Sequence, residues 1–253
     1  MKTVVIDPHL QSSYDDYYRG DISEWRELGA IDKAANIRRL CASMAPAAVL
    51  DVGAGEGAVL QRLADSGFGE RHFALDISAS GVERIRNRTI PSLVECRQFD
   101  GYAIPYADST FDLAVLSHVI EHVEHPRLLL NEAARVADRV FVEVPLEHNR
   151  GLPCDFVWDP VGHINFYTKK TIRLLVQSCG HEVLEQQQSH PMLRQYRYRL
   201  GMKGIAAYLL KESALRAMPS VAHSLWTYHS SLLIRSRRPS NVSSRPQSSQ
   251  PSP

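Results

Sequence analysis

The stretch VLDVGAGEGA at residues 49–58 constrains the fold of this chain more than any other part of the sequence. A short apolar run, three glycines at alternate positions and a helical pattern from Ala58 onward predict a strand, a tight turn and a helix in succession. Glycine lets the backbone approach a ligand without a Cβ clash, and the free N–H groups of the helix's first turn favour an anionic or oxygen-rich partner. The stretch therefore predicts a ligand-binding corner.

Two arrangements of residues in this turn are typical of nucleotide-like ligands. Gly53, Gly55 and Ala58 satisfy the dinucleotide fingerprint G-x-G-x-x-G/A. Asp76 follows at about the 20-residue spacing at which a carboxylate meets a ribose hydroxyl. Asp51, however, also precedes a continuous G-x-G-x-G series. Because both motifs are short, the turn alone leaves the ligand open.

Length and composition favour one domain with attached segments, because 253 residues with 44% hydrophobic content can bury a substantial core. The net charge of +1 gives no general reason to expect nucleic acid or a membrane as partner. No apolar run approaches the roughly 18 residues of a membrane span, and residues 1–7 lack the layout of a secretion signal. The cysteines show no C-x-x-C spacing, so we expect small buried thiols in a cytoplasmic protein: Cys41, Cys96, Cys154 and Cys179.

Strand-like and helix-like segments alternate from residue 46 onward, which indicates a Rossmann-like α/β fold with helices on both faces of a mostly parallel sheet. The predicted strands are residues 48–52, 72–76, 93–99, 111–117, 140–144, 181–188 and 224–235. The predicted helices between them are residues 58–66, 80–88, 126–136 and 168–179.

Three segments extend or interrupt the predicted domain at residues 46–236. Residues 1–45 are aromatic-rich and then helical in pattern, which predicts an N-terminal helical cover whose rings pack on the sheet. Residues 191–220 predict a helical insertion before the last strand, and residues 237–253 are too rich in Ser, Pro and Gln to order themselves. A second hypothesis for the cover brings three of its side chains to the ligand pocket: Tyr17, Trp25 and Lys33.

Motifs downstream of the glycine turn decide between the two ligands. They are Asp76 ending strand two, Phe99-Asp100-Gly101 ending strand three, FDLAVL opening strand four, Ile120-Glu121-His122 after it, and residues 163–168 before the next helix. With the glycine turn, they resemble class I S-adenosylmethionine-dependent methyltransferases over most of residues 46–236. Ile120-Glu121-His122 narrows the resemblance to the small-molecule subgroup, similar to type 11 and type 23 methyltransferases, and nicotinamide enzymes lack this run. The resemblance implies a seven-stranded sheet with the last strand inserted antiparallel.

The resemblance also implies roles in binding S-adenosylmethionine. Asp51 and the turn would hold the amino-acid portion, Asp76 the ribose hydroxyls, and Asp100 the adenine amino group. An ionised carboxylate suits the ribose because it only accepts hydrogen bonds. The structural alternative for the two later aspartates is a helix cap or a turn. The predicted cofactor-binding residues are Asp51, Gly53, Ala54, Gly55, Gly57, Asp76, Ile77, Asp100, Gly101, Leu116 and Ser117.

Methyl transfer from a sulfonium is an in-line displacement, so positioning supplies most of the catalysis and a general base is added for a hydroxyl acceptor. Histidine is the usual base near neutral pH. Three histidines near the carboxyl end of strand four or at the matching later position are the predicted catalytic residues: His122, His163 and His118. For His125 we expect an exposed or capping position instead.

A more specific alternative to a histidine base is methyl transfer assisted by a bound divalent metal. In the family that methylates the 2′-hydroxyl at the 3′ ends of small RNAs, a Glu-x-x-Glu-His motif after strand four and a later histidine bind a divalent metal. This chain resembles that arrangement at Glu121, His122 and His163, but His118 replaces the first glutamate. Because of that replacement we predict no metal site, and the near-neutral charge disfavours an RNA acceptor.

The insertion bears on the acceptor because it mixes cations with aromatic and apolar residues. Such a segment is typical of an amphipathic cover with solvated cations, and the alternative is a basic face that receives an anionic acceptor or contacts a membrane surface. Its cations are Arg194, Arg197, Arg199, Lys203, Lys211 and Arg216. We predict methylation of an oxygen on a small-molecule or glycan-like acceptor. Three alternatives stay open: a metal-assisted RNA methyltransferase, a nicotinamide oxidoreductase, and a regulatory module that binds S-adenosylmethionine without turnover.

Overall fold

The computed structural model describes residues 6–19, 24–153, 155, 159 and 161–237. Its strands are β1 (Ala48–Val52), β2 (Arg71–Asp76), β3 (Leu93–Gln98), β4 (Phe111–Ser117), β5 (Ala137–Pro145), β6 (Glu182–Ser189) and β7 (His229–Arg235). Its helices are α1 (Pro8–Arg19), α2 (Glu24–Leu40), α3 (Ala58–Asp65), α4 (Ala79–Asn87), α5 (Pro126–Val136), α6 (Lys169–Ser178), α7 (Leu193–Leu200), α8 (Lys203–Ala217) and α9 (Ala222–Leu225).

The strands form one sheet in the order β3-β2-β1-β4-β5-β7-β6. Strands β1 to β5 pair in parallel, whereas β7 runs antiparallel to both β5 and β6. The predicted fold class, a mostly parallel seven-stranded sheet with an antiparallel last strand, is therefore confirmed. The strand order reverses between β1 and β4, and ligands of open α/β sheets bind at the carboxyl ends of the strands at such a point.

Alternate residues of the central strands pack against helices on opposite faces of the sheet. Val49 of β1 packs in one apolar cluster with Ile37 of α2, whereas the next residue, Leu50, packs in another cluster with Leu129 of α5. Because both faces are covered, these strands are nearly continuous apolar runs. Asp51 in β1 and Glu143 in β5 are buried acids inside these runs. A buried carboxylate needs a partner or a ligand, so these two acids point to the functional edge of the sheet.

The helices that the sequence predicted outside the sheet lie where they can cover this edge. Helix α1 packs against α4, and α2 packs against α3 and α7. The insertion forms α7 and α8 between β6 and β7, as predicted. Among the described residues no helix is both long and apolar enough to cross a bilayer. The predicted disordered tail lies outside the described residues except for Arg237.

Two strands begin more than one residue away from the predicted position: β5 begins at Ala137, before the predicted Val140, and β7 begins later than predicted. The last strand was expected from residue 224, but β7 begins at His229 because residues 222–225 form α9. Tyr228, which lies within the predicted strand, is instead fully buried against α8, where its hydroxyl donates to the Lys211 carbonyl at 2.9 Å. Ala222 of α9 is fully buried as well. Of the cysteines, Cys41 and Cys96 are buried as predicted and Cys179 is half-buried. Cys154 lies outside the described residues.

Candidate cofactor and acceptor site

A cavity of about 1280 Å³ opens at the carboxyl ends of β1, β2, β4 and β5. Helices α1 and α2 and the insertion contribute the rest of its lining. Pockets for one small molecule usually measure about 300 to 1,000 Å³. This cavity is therefore large enough for two ligands side by side, such as a cofactor and an acceptor.

The glycine turn after β1 borders the cavity, and its conformation and close neighbours leave no room for side chains at Gly53 and Gly55. Gly53 and Gly55 have φ angles of +74° and +58°, which only glycine adopts without strain. A Cβ atom on Gly53 would lie 2.7 Å from a methyl group of Val119, and one on Gly55 would lie 2.6 Å from the Tyr18 hydroxyl. Ala54 also lines the cavity. Gly57 directly precedes α3 and is not one of the lining residues.

Asp76 at the end of β2 is held in a fixed orientation by the neighbouring backbone. One carboxylate oxygen accepts a hydrogen bond from the Gly55 N–H at 2.7 Å, and the other accepts from the Ser78 N–H at 2.9 Å. Burial raises the pKa of Asp76 to about 6, although these hydrogen bonds oppose the rise. Asp76 and the adjacent Ile77 both line the cavity. Each oxygen keeps a lone pair that can accept from a ligand hydroxyl.

Asp51 is a second buried carboxylate in the same lining. It is only 3% exposed, and its Oδ2 atom has no hydrogen-bond partner among the described residues. Burial raises the pKa of Asp51 to about 7; the nearby Lys33 opposes this shift and Asp76 adds to it. A buried, unpartnered oxygen beside a cavity is suited to a cationic or N–H-bearing ligand group.

The third predicted carboxylate is placed differently. Asp100 accepts hydrogen bonds on Oδ1 from the backbone N–H groups of Tyr102 and Ala103, at 2.9 and 2.6 Å, so its side chain forms a turn. It does not line the cavity, although Gly101 does. Leu116 is fully buried in the core, whereas Ser117 lines the cavity. The structure thus brings together eight of the predicted cofactor residues at the cavity: Asp51, Gly53, Ala54, Gly55, Asp76, Ile77, Gly101 and Ser117.

The N-terminal helices contribute more to the cavity than the sequence indicated. Tyr17, Trp25 and Lys33 line it, in accord with the second hypothesis for this segment. Tyr14 and Tyr18 of α1 line it as well, with their rings stacked at 6.2 Å. For these two tyrosines the sequence indicated only packing on the sheet. Their spacing of four residues, which puts both rings on one face of a helix, was the signal for a shared role.

His118, the first residue after β4, is held between two buried glutamates. Its Nδ1 lies 3.2 Å from Oε1 of Glu121 and its Nε2 lies 3.3 Å from Oε1 of Glu143. Burial alone would lower the pKa of His118, but the two carboxylates raise it overall. The residue also has a left-handed φ of +59°. Because both nitrogens face carboxylates, the ring favours the imidazolium form, and the geometry does not support the prediction of His118 as a general base.

His122 and His163 form a corner of the cavity, with ring centroids 4.6 Å apart. The backbone brings them together because the Glu121 carbonyl accepts from the N–H groups of Ile164 and Asn165, both at 2.9 Å. His163 Nδ1 lies 2.5 Å from a carboxylate oxygen of Glu147. Burial alone would lower the pKa of His163, but Glu147 raises it overall. Glu147 and Glu143 were not among the predicted site residues. The signal for Glu143 in the sequence is a glutamate inside the apolar strand β5.

Few cations of the insertion reach the cavity. Arg199 and Lys211 line it, whereas Arg216 pairs with Glu212 at 2.7 Å. The Lys211 ammonium donates to the Thr227 carbonyl at 2.9 Å. Burial lowers the pKa of Lys211 to about 8. The insertion therefore covers the cavity and brings two positive charges to its lining.

Part of this chain is similar to known methyltransferases. Residues 50–139 match a family model described as a methyltransferase domain. An uncharacterized methyltransferase from Mycobacterium leprae (strain Br4923) is 32% identical over 88 residues, which cover 35% of this chain and 32% of that protein. The chain thus spans about a third of the length of the curated relatives it matches. The family-model match at residues 50–139 includes the glycine turn, Asp76 and β4.

Solved structures support the same fold. A protein described as a SAM-dependent methyltransferase from Aquifex aeolicus is 17% identical, with a TM-score of 0.53 and coverage of 92% of this chain and 100% of that chain. The [4+2]-cyclase SpnF is 17% identical, with a TM-score of 0.59 and coverage of 83% and 82%. At this identity the likeness shows the fold alone. Together with the family match, it confirms the predicted resemblance to class I methyltransferases.

Proposed function

We propose that this protein transfers a methyl group from S-adenosylmethionine to an acceptor that binds in the same cavity. The observation that carries the proposal is the convergence of Asp51, Asp76 and the glycine turn on one side of a cavity whose other side holds His122 and His163. The methyltransferase-domain match over residues 50–139 supports the same reaction.

The residues present fit the chemistry of the cofactor. S-adenosylmethionine combines a ribose diol with an amino acid and, when bound, supplies an electrophilic methyl group on a sulfonium. Asp76 is fixed by two backbone N–H groups and can accept from the ribose hydroxyls. The unpartnered oxygen of Asp51 can accept from the cofactor's ammonium group.

The acceptor we propose is a hydroxyl of a small-molecule or glycan-like compound. Methyl transfer to a hydroxyl needs in-line positioning and loss of the hydroxyl proton. His122 and His163 lie at the cavity wall where that proton can be received. Arg199 and Lys211 favour an acceptor that carries an acidic group.

Two alternative functions, a regulatory module and a nicotinamide oxidoreductase, would use part of the same site. Folds of this kind also carry out reactions other than methyl transfer, since one structural neighbour is described as a cyclase. A protein that binds S-adenosylmethionine without turnover would use the same cofactor residues. A nicotinamide oxidoreductase would share the glycine turn and Asp76, but the family match favours the methyltransferase.

A thermal-shift comparison separates the two cofactors. A ligand at 100 times its Kd stabilises a folded protein by about 2.7 kcal/mol. We expect S-adenosylhomocysteine to raise the melting temperature of the wild-type protein, and we expect NAD to leave it unchanged. A shift with NAD alone would contradict the proposal at its first step.

Release of S-adenosylhomocysteine from S-adenosylmethionine, measured over a panel of hydroxyl acceptors with and without an acidic group, tests turnover. We expect acceptor-dependent release, and we expect the variant that removes the proton acceptor, His122→Ala or His163→Ala, to reduce it by about 10² to 10⁴-fold, the usual contribution of a general base. His125→Ala is the matched control, because His125 is exposed and does not line the cavity. Cofactor binding without release across the panel favours the regulatory module instead.

A further inference from the structure

The insertion formed by α7 and α8 carries half of the large apolar side chains that this protein exposes. Among the described residues fourteen such side chains are exposed, and seven of them lie at residues 198–221. Exposed apolar residues that stand alone need no explanation, but a contiguous group marks a contact surface. The distribution therefore points to a contact surface on the insertion.

The outer side of α8 forms the centre of this surface. Residues three or four apart lie on one face of a helix, and exposed residues of α8 recur at that spacing from Lys203 through Ala206, Leu209 and Ser213 to Arg216. Leu209 and Leu210 are 56% and 57% exposed, and Met202, directly before the helix, is 74% exposed. We call the outer side of α8, together with Met202 and the exposed last turn of α7 (residues 197–200), the insertion face.

The leucines of the insertion face cannot turn inward, because the inner side of α8 is already fixed. A Cβ atom on Gly204 would clash with the Tyr196 carbonyl of α7, so the two helices are in backbone contact. The Lys211 ammonium donates to the Thr227 carbonyl at 2.9 Å, and the Lys211 carbonyl accepts from the Tyr228 hydroxyl at 2.9 Å. The outer leucines therefore stay exposed unless another molecule covers them.

The charge of the insertion is almost entirely positive. Residues 191–220 contain six cations and one acid, Glu212, although the whole chain has a net charge of only +1. The two carboxylate oxygens of Glu212 already face His190 at 2.9 Å and Arg216 at 2.7 Å. Three cations beside the apolar centre have no carboxylate at ion-pair distance in the part of the chain that the structure describes: Arg197, Arg199 and Lys203.

We propose that the insertion face docks on the surface of a bilayer that contains anionic phospholipids. A helix that lies in the membrane interface buries its apolar side chains about 5 to 10 Å into the boundary of head groups and acyl chains. Leu209 and Leu210 would enter that boundary, while Lys203 and Arg216, which flank them on the same side of α8, reach the phosphates with their flexible stems. The positive charge selects an anionic bilayer over a neutral one.

An aromatic pair lies where the insertion face meets the cavity. Trp25 of α2 stacks on Tyr198 of α7 with ring centroids 6.3 Å apart, and both rings are exposed. Tryptophan and tyrosine are enriched at membrane–water interfaces because each has an apolar body and a polar tip. Trp25 and Arg199 also line the cavity. A bilayer bound at the insertion face would therefore lie next to the cavity.

A bilayer fits this face better than two other partners do. Surfaces that bind single-stranded nucleic acid combine cations with aromatic rings that stack on the bases, whereas the centre of this face is aliphatic. A second copy of the chain would bring the same cations together across a symmetric interface, where like charges repel. An anionic lipid surface satisfies both the aliphatic centre and the surrounding positive charge.

Co-sedimentation of the whole, tag-free chain with lipid vesicles tests the proposal. Vesicles of phosphatidylglycerol and phosphatidylcholine in equal parts are compared with vesicles of phosphatidylcholine alone. We expect the anionic vesicles to bind about tenfold more tightly, and we expect this binding to weaken as salt rises to about 0.5 M, because salt screens exposed charges. Absence of binding to the anionic vesicles, or equal binding to both kinds, overturns the proposal.

Two double variants locate the contact. Leu209→Ser with Leu210→Ser removes the aliphatic centre, and Arg197→Gln with Lys203→Gln removes two cations. We expect each to weaken binding to anionic vesicles by about tenfold or more, because one cation near an anionic surface contributes about fivefold and one buried methylene about fourfold. Wild-type binding in either double variant overturns the assignment of this face.

The matched control is Arg173→Gln with Leu174→Ser, because both residues are exposed on α6, outside the insertion. This control should bind vesicles like the wild type, and circular dichroism establishes that every variant is folded. A single-stranded RNA that binds more tightly than the anionic vesicles, or a dimer in analytical ultracentrifugation that Leu209→Ser with Leu210→Ser dissociates, would assign the face to a different partner and overturn the proposal. Vesicle binding needs neither S-adenosylmethionine nor an acceptor, so its failure leaves the tests of the proposed function unaffected.

Discussion

Replacing Asp51 by asparagine tests whether the protein holds this carboxylate for a ligand at a cost in stability. Asp51 is almost fully buried, and one of its oxygens has no hydrogen-bond partner among the described residues. Burial raises its pKa to about 7, even though Lys33 opposes the rise. Asparagine keeps the shape of the side chain and removes the charge. We therefore expect Asp51→Asn to stabilise the ligand-free protein and to weaken cofactor binding.

The size of the effect follows from the two pKa values of Asp51. The unfolded carboxyl titrates near 3.9 and the folded one at about 7. Because the folded pKa is the higher one, this group's contribution to stability is full below pH 4 and is lost as the pH rises through the folded pKa. At about 1.4 kcal/mol per pKa unit, the loss is about 1 kcal/mol at pH 4.5 and about 4 kcal/mol at pH 8. The stabilisation by Asp51→Asn should therefore grow by about 3 kcal/mol over this range.

Urea denaturation at several pH values between 4.5 and 8 measures this difference in the free energy of unfolding. Asp65→Asn is the matched control, because Asp65 is exposed at the end of α3 and its substitution should change stability by less than about 0.5 kcal/mol at any pH. Calorimetric titration with S-adenosylhomocysteine measures the expected loss of affinity in Asp51→Asn. If Asp51→Asn changes the free energy of unfolding equally at pH 4.5 and pH 8, ionisation of Asp51 does not destabilise the folded protein. That result would refute the prediction.

Two further predictions concern the cofactor side of the cavity. Gly53→Ala should destabilise the protein more than Gly67→Ala in urea denaturation, since both have a left-handed φ but only Gly53 has a neighbour, Val119, at 2.7 Å from the added Cβ. We expect about 1 kcal/mol for the backbone strain in each and about 1 to 3 kcal/mol more for the clash; equal losses would contradict the packing argument. For Asp76, whose pKa burial raises to about 6, S-adenosylhomocysteine affinity should fall up to tenfold per pH unit below that value. Calorimetry should find a flatter pH dependence in Asp76→Asn, and an unchanged slope would exclude Asp76 as its source.

Local patterns were sufficient for the central elements of the fold. The bounds of β4 and α5 match their prediction residue for residue, because a short apolar run and a Pro-initiated amphipathic helix each specify one structure. The predicted start of the last strand was wrong because Tyr228, an apolar residue of the kind that also forms strands, packs against α8 instead. Such packing depends on residues distant in sequence, which periodicity does not reveal.

In the candidate site, too, residues in contiguous motifs were predictable and residues that depend on distant contacts were not. Asp51, Asp76 and the glycine turn were predictable because the motif is contiguous and the strand ends of a parallel sheet meet at one edge. Asp100 lies at the predicted strand end, but its side chain forms a turn with the backbone of Tyr102. The roles of His118 and Glu121 were not predictable, since they depend on Glu143 from another strand and on the backbone contacts of residues 162–165.

Val119 lies between the segment that carries His122 and the glycine turn after β1. It follows His118 and precedes the segment that carries His122, yet its methyl groups pack directly on the Gly53 position of the cofactor turn. A shift of the backbone at residues 118–122 would therefore press on the glycine turn through Val119. If that contact couples the two binding events, an acceptor that tightens cofactor binding by some factor is itself bound more tightly by the same factor when the cofactor is present.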